Sequence, residues 1–60
     1  MNIVYQIKFG GKWGGVAYTR NIADCDLLCA RMIDEGIYPK VRRMQRKDVP
    51  LSDLELVNNL

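Results

Sequence analysis

Apolar and polar residues alternate in the first segment of the chain, residues 3–9. One face of this segment carries four apolar or aromatic side chains, namely Ile3, Tyr5, Ile7 and Phe9. Val4 begins the opposite face, which continues with Gln6 and Lys8. A period of two residues with β-branched and aromatic side chains is typical of a strand with one buried face. We therefore predict a first β-strand here.

A glycine-rich segment, residues 10–15, follows this strand and has four glycines in six positions. Because glycine adopts positive φ angles without steric cost, the segment predicts the connection of a β-hairpin. Residues 16–20 form the returning strand, in which Val16 and Tyr18 alternate with Ala17 and Thr19. The first two strands are therefore expected to pair antiparallel.

Helical periodicity begins after Asn21, a favourable N-cap residue, and ends before Gly36, a favourable C′ residue. Asp24 adds a negative charge in the first turn, where the helix dipole favours it. At 100° per residue, six apolar residues form one stripe about 140° wide, the width of an ordinary core-facing surface. They are Ile22, Cys25, Leu28, Cys29, Met32 and Ile33. The pattern predicts a helix over residues 22–35.

A third strand is predicted over residues 38–46, entered through Pro39, which is tolerated at the start of a strand or at a sheet edge. Its alternation is irregular, because Val41 and Met44 fall on opposite faces unless a bulge intervenes. Either both faces of this strand are partly buried, or the strand lies at the edge of the sheet.

A short helix is predicted near the end of the chain, over residues 53–58. Ser52 and Glu55 match a capping box, and Leu51 and Leu56 are spaced as a hydrophobic staple. Leu54 and Val57 are the apolar residues that the helix presents. A helix of this length is not stable alone, so it is expected to pack on another surface.

These elements predict an α+β fold, a ββαβ arrangement with one packed helix and a short C-terminal helix. A right-handed crossover gives a three-stranded antiparallel sheet in the order 2-1-3. Residues 1–60 are expected to form a single domain, with a core in 1–47 and a tail in 48–60. One helix covers only one face of the sheet, so Val4, Ala17 and Met44 are expected on an uncovered face.

The small size of the chain favours association with another molecule. A domain of 60 residues buries only about 60% of the surface that its unfolded chain exposes. Two cysteines four positions apart in a helix are not placed for a disulfide, and the sequence has no histidine to complete a zinc site with them. We therefore expect no cofactor or metal, and a homodimer whose contacts include Val4, Leu54 and Val57.

The net charge of +2 conceals a strong segregation of charge. Residues 37–47 contain five cations and no acid, whereas four acids and one arginine lie in residues 21–35. The tail adds three acids and no base, namely Asp48, Asp53 and Glu55. Three interpretations of the basic segment stay open: a solvated edge strand whose charges deter edge-to-edge pairing, a nucleic-acid-binding surface, and a surface that meets the acidic tail of another copy.

Catalysis and membrane insertion are both disfavoured by the sequence. No nucleophile is paired with a base, and the glycine-rich segment lacks the pattern of a phosphate-binding loop. We expect no signal peptide, because residues 1–8 lack a basic region followed by a long apolar stretch, and no apolar run in the sequence is long enough to span a membrane. We therefore expect a cytoplasmic protein that is not an enzyme.

Candidate binding residues include two apolar positions outside the predicted core. Trp13 lies between glycines at the hairpin tip, where it either inserts into a partner or caps the sheet. Leu27 lies opposite the helical core stripe, beside Ala23 and Ala30, a combination that permits close packing of another helix. The remaining candidates belong to the third strand and its surroundings: Tyr38, Arg42, Arg43, Met44, Arg46 and Lys47.

In length and build, a hairpin–helix–strand chain with segregated charges resembles the small proteins that phages encode to disable host enzymes or defence systems. Inhibitors of anti-phage systems such as Hachiman include proteins of about this build. The resemblance implies a protein-binding inhibitor that acts by occlusion on a host protein in the host cytoplasm. The alternative is a nucleic-acid-binding accessory protein that uses Arg42, Arg43, Arg46 and Lys47.

Overall fold

The computed structural model describes residues 2–11 and 14–60. Strands β1 (Ile3–Phe9) and β2 (Gly15–Thr19) are followed by helix α1 (Ile22–Asp34) and strand β3 (Lys40–Gln45). Two short 3-10 turns, Arg46–Asp48 and Leu51–Asp53, lead into helix α2 (Leu54–Asn58). The described chain therefore has the predicted order of elements, with each boundary shifted by at most two residues.

The three strands form one antiparallel sheet in the order β2-β1-β3, as predicted. The register pairs Ile7 of the central strand with Ala17 on one side and with Val41 on the other. Because directly paired residues point to the same face, these three side chains lie on the face that α1 covers. Ala17 was predicted on the opposite face. That prediction is wrong, because the hairpin register places Val16 and Tyr18 there instead.

Helix α1 begins and ends with the predicted capping residues. Asn21 Oδ1 accepts a hydrogen bond of 2.8 Å from the Asp24 backbone N–H. At the other end Gly36 has a φ of 79°, and its N–H bonds to the Ile33 carbonyl at 3.0 Å. The Ile37 N–H bonds to the Met32 carbonyl at 2.8 Å, which completes a Schellman motif. These caps fix both the length of α1 and the direction in which the chain leaves it.

One apolar cluster lies between α1 and the sheet. Ile7 and Cys25 are almost completely buried in it, and Met32 is 6% exposed. Five half-buried side chains complete the cluster, namely Tyr5, Phe9, Leu28, Cys29 and Ile37. The predicted core stripe of α1 is therefore buried at its centre, whereas Ile22 and Ile33 at one side of it are 52% and 50% exposed.

A second apolar cluster occupies the opposite face of the sheet, which was predicted to be uncovered. Val4, Tyr18 and Met44, one from each strand, pack there against Val49 and Val57 of the C-terminal segment. Leu54 and Leu60 add half-buried contacts. The prediction of an open face is wrong because residues 46–60 turn back from the end of β3 and cross all three strands.

The start of α2 differs from the predicted capping box. The N-cap residue is Asp53, whose side chain makes no capping hydrogen bond, and residues 51–53 form a 3-10 turn. Leu51 is 86% exposed, so it does not pack as a staple against Leu56. The carboxylate of Asp53 is instead a hydrogen-bond acceptor for Tyr18. Helix α2 is thus held by contacts with the sheet rather than by its own cap.

Replacing Val57 with alanine tests whether the C-terminal segment is part of the core. Val57 is 3% exposed, so Val57→Ala should lower the free energy of unfolding by about 1–3 kcal/mol through lost burial and a residual cavity. Urea unfolding followed by far-UV circular dichroism measures this change. Leu56→Ala in the same helix is the control, since Leu56 is 44% exposed and should cost less than about 1 kcal/mol. Equal effects of the two substitutions would contradict the packing of α2 on the sheet.

Candidate binding surface

The basic segment forms one edge of the sheet. Lys40, Arg42 and Arg43 of β3 are exposed, as are Arg46 and Lys47 in the turn that follows. The alternation of β3 divides these charges between the two faces. Arg43 pairs with Tyr5 and lies on the α1 side, whereas Lys40 and Arg42 lie on the side of the C-terminal segment. The edge strand therefore presents cations on both faces of the sheet.

Arg46 has a structural role as well as a charge. Its backbone N–H bonds to the Asn2 carbonyl at 2.6 Å, and its guanidinium donates a hydrogen bond to Asn58 Oδ1. The side-chain acceptor is a neutral amide, so the positive charge of Arg46 is not neutralised by this contact. The residue joins the end of β3 to the end of α2 and still contributes to the basic surface.

Most of the acidic residues of α1 lie on a different surface. Asp24, Asp26, Asp34 and Glu35 are all exposed. Because α1 packs across β1 and β2 rather than β3, its outward face is directed away from the basic edge. Three of these acids, Asp24, Asp34 and Glu35, are thus separated in space from the basic edge, whereas Asp26 lies nearer to it, beside Ile22 and Ile33 on the helix.

The other predicted binding residues do not form one surface. Tyr38 is 77% exposed just before β3, and Leu27 is 62% exposed on the outer side of α1. Met44 is only 9% exposed and packs beneath the C-terminal segment, so it does not contribute to a binding surface in this fold. Trp13 lies outside the described residues.

The three residues predicted at a dimer interface are in contact within one chain. Val4 and Val57 are 4% and 3% exposed, and Leu54 packs against the same cluster. The half-covered sheet was one reason to expect a dimer, beside the small core, and that face is occupied by residues 46–60. Self-association stays a prediction, but it no longer follows from this face.

A groove that the sequence did not predict lies between α1 and β3. A helix with its side chains is about 10–12 Å wide and strands are about 4.8 Å apart, so one helix covers about two strands. Helix α1 covers β1 and β2 and leaves the same face of β3 open. Val41, which points to this face, is 47% exposed, and Ile22 and Ile33 on α1 are exposed to a similar degree.

A cleft of about 600 Å³ lies at one end of the sheet, between the start of α1 and the C-terminal segment, and it shares Ile22 and Arg43 with the groove. Ile3, Tyr5 and Ile22 provide apolar surface in this cleft. Three arginines and no acid are among its lining side chains, and they are Arg20, Arg43 and Arg46. Arg20 also donates a hydrogen bond to the main-chain oxygen of Leu60. The cleft therefore combines an apolar floor with a positive rim.

A buried polar chain connects the sheet to α2 beneath the C-terminal segment. Gln6 Nε2 donates to Tyr18 Oη at 2.8 Å, and Tyr18 Oη donates to Asp53 Oδ2 at 2.7 Å. Every buried side-chain nitrogen and oxygen in residues 2–11 and 14–60 has a hydrogen-bond partner. Burial raises the pKa of Tyr18, and the hydrogen bond to Asp53 raises it further. The network is a structural link and is closed to large ligands.

Within residues 2–11 and 14–60, no three side chains of the metal-ligating types come together. Cys25 and Cys29 are free thiols, and burial raises the pKa of Cys25, which keeps it in the less reactive thiol form. Among the same residues, no helix has both the length and the apolar composition to cross a membrane.

Comparison of the chain with protein-family models, with curated proteins and with solved structures finds no match. Its possible functions therefore rest on the surfaces described above.

Replacing Tyr18 with phenylalanine tests the polar chain. Tyr18→Phe removes the hydroxyl and leaves the buried amide of Gln6 without its acceptor, which should cost about 1–3 kcal/mol of unfolding free energy. Tyr38→Phe is the matched control, and it should have no measurable effect because Tyr38 is 77% exposed. Chemical denaturation of both variants measures the difference. A Tyr18→Phe protein as stable as the parent would show that the network does not stabilise the fold.

Alkaline pH should weaken the fold through the same tyrosine. The pKa of Tyr18 is raised in the folded state, so its contribution to stability is complete below the ordinary tyrosine pKa of about 10. As the pH rises further, the unfolded chain loses this proton first, and stability falls until the folded-state pKa is passed. Denaturation from pH 8 to pH 11 should therefore show a smaller alkaline loss in Tyr18→Phe than in the parent. Identical pH profiles would contradict this role.

Proposed function

We propose that this chain is a small protein-binding protein that acts by covering a surface of its partner. The observation that carries the proposal is the exposed basic edge beside half-exposed aliphatic side chains of α1 and β3. Interface centres combine apolar contacts with arginine, and this edge offers both. Occlusion needs only such a surface, without a catalytic group.

An inhibitor of the type that phages direct against host enzymes or defence systems is the specific form of this proposal. A small protein can inhibit a larger one by covering part of its surface. When the binding surface is rigid, little conformational freedom is lost on binding. Val41, Ile22 and Arg43 belong to strands and a helix that are held by two apolar clusters. A surface built on such elements is already formed before the partner arrives.

Nucleic-acid binding through Arg42, Arg43, Arg46 and Lys47 is the rival proposal. Their exposure supports it. Sequence-tolerant nucleic-acid surfaces also present aromatic side chains on which bases stack. Among the described aromatic residues only Tyr38 is prominently exposed, and aliphatic side chains lie beside the cations instead. The surface therefore fits a protein better than a single strand.

Charge reversal at the edge tests the proposal. The unmodified protein and an Arg42→Glu/Arg43→Glu variant are immobilised and exposed to bacterial lysate with and without nuclease. We expect the parent to retain a protein that withstands nuclease, and the variant to lose at least about tenfold in retention, because opposed charges are replaced by like charges. Both arginines are exposed, so the variant should keep the parent's far-UV circular dichroism spectrum.

A second variant controls for net charge. Arg31 is exposed on the outer side of α1, and Arg31→Glu lowers the net charge in the same direction as the edge variant without touching the basic edge. It should leave retention unchanged. Retention of nucleic acid that nuclease removes, with affinity falling steeply as salt increases, would favour the rival proposal. Equal retention by parent and edge variant would contradict a role for the basic edge.

A further inference from the structure

We infer that the groove between α1 and β3 binds an amphipathic helix of a partner protein, with acidic residues on the flank of that helix that faces β3. The inference rests on the proposed protein-binding function and names the chemistry of the partner segment. Its basis is the incomplete cover of the sheet, the position of three half-exposed aliphatic residues, and the sign of the charge at the rim.

The shape of the groove fits a helix. Helix α1 is about two strands wide and packs on β1 and β2, so the third strand has room for one side of another helix lying beside α1. An amphipathic helix in such a groove is a recurrent way to recognise a peptide segment. The apolar side of the incoming helix would contact β3 and the adjacent flank of α1.

Both walls of the groove present aliphatic side chains. Ile22 and Ile33 are separated by eleven positions, which places them within about 20° of each other on α1. Ile22 lines the same cleft as Arg43 of β3, so this flank of α1 faces β3. Val41 projects from β3 on the same side of the sheet. These three residues are each about half exposed, whereas the centre of the α1 stripe is buried.

The charges at the two walls differ. On the β3 side Arg43 projects to the α1 face of the sheet, whereas the guanidinium of Arg46 turns to Asn58 on the other face. On the α1 side Asp26 is exposed, and it lies about 20–40° further around the helix axis, away from the core, than Ile22 and Ile33. A partner helix with acids toward β3 and without acids toward α1 meets complementary charge at both rims. A nucleic-acid backbone, which is negative on every side, does not.

Two synthetic peptides test this assignment. Both are stapled amphipathic helices of about four turns, with leucine along one face and glutamine on one flank. The first carries glutamate on the other flank, and the second carries lysine at those same positions. Each is titrated into the full chain labelled with nitrogen-15, and backbone amide shifts are followed by NMR. We expect the glutamate peptide to move the amides of Ile22, Ile33, Val41 and Arg43, and the lysine peptide to bind at least about tenfold more weakly.

Val41→Ser should lower the affinity for the glutamate peptide by about tenfold, because the substitution removes the apolar contact of one valine side chain from the interface. Leu51→Ser, in the C-terminal segment on the other face of the sheet, is the matched control and should leave the affinity unchanged, because Leu51 is 86% exposed. Both side chains are about half exposed or more, and the NMR spectrum of each variant shows directly that it is folded.

Several results would overturn the inference. No shift with the glutamate peptide at about 1 mM, equal affinity for both peptides, or shifts centred on Leu27 would exclude an acidic helix in this groove. Shifts confined to residues 40–45, without Ile22 and Ile33, would indicate strand addition at the edge of β3. Displacement of the peptide by a short single-stranded DNA, with the same amides shifted, would identify nucleic acid as the occupant.

The two proposals fail separately. If the glutamate peptide does not bind the groove but the lysate partner still depends on Arg42 and Arg43, the chain binds protein through a different contact. If the peptide binds as expected but no protein is retained from lysate through the basic edge, the groove is correctly assigned and the proposed function is wrong.

Discussion

The structure depends on the burial of the second sheet face by the C-terminal segment. Val4 of the central strand contacts the cluster that contains Val49 and Val57, and Tyr18 of β2 reaches Asp53 through its hydroxyl. Without these contacts the sheet would have apolar surface on both sides and a helix on only one. A chain of this size has little net stability to lose, so the second cluster is a requirement of the fold.

The same geometry decides where a binding surface is available. The C-terminal segment crosses all three strands on its face, whereas α1 crosses two strands on the other. The difference arises because a segment that runs across the strands covers the width of a sheet, and a single helix covers only its own diameter. The open strip is therefore on the α1 side of β3, beside the basic edge. Exposed apolar side chains and positive charge are adjacent there because one helix covers only two of the three strands.

The sequence predicted the fold where local signals were strong. Alternation in β1, the caps at Asn21 and Gly36 and the glycines of the hairpin determine the elements and the strand order. It failed where distant residues determine the outcome. The face on which Ala17 lies depends on the register of the hairpin. The capping box at Ser52 does not form, and Asp53 instead accepts a hydrogen bond from Tyr18, which is 35 positions away. Neither of these can be read from local spacing.

The binding surface was predicted only in part. Arg42, Arg43, Arg46 and Lys47 were identified from charge, because a basic run on an edge strand is exposed whatever the tertiary packing. Ile22 and Ile33 were assigned to the core. Periodicity shows which side of the helix a residue lies on, but it does not show how much of that side the sheet covers. The signal was nonetheless present: one helix beside three strands leaves part of an apolar stripe uncovered.

The position of the second cluster in the chain also affects how the protein folds. Val4 and Val57, which stand near opposite ends of the 60 residues, belong to one cluster. Contacts between distant parts of a chain form only after the entropy of a long loop has been lost, and folding rates fall as such contacts increase. The hairpin and α1 are local enough to form early, so the C-terminal segment is the element expected to join last. Until it does, the chain is a transient species with one bare sheet face, and this interval is when aggregation competes with folding.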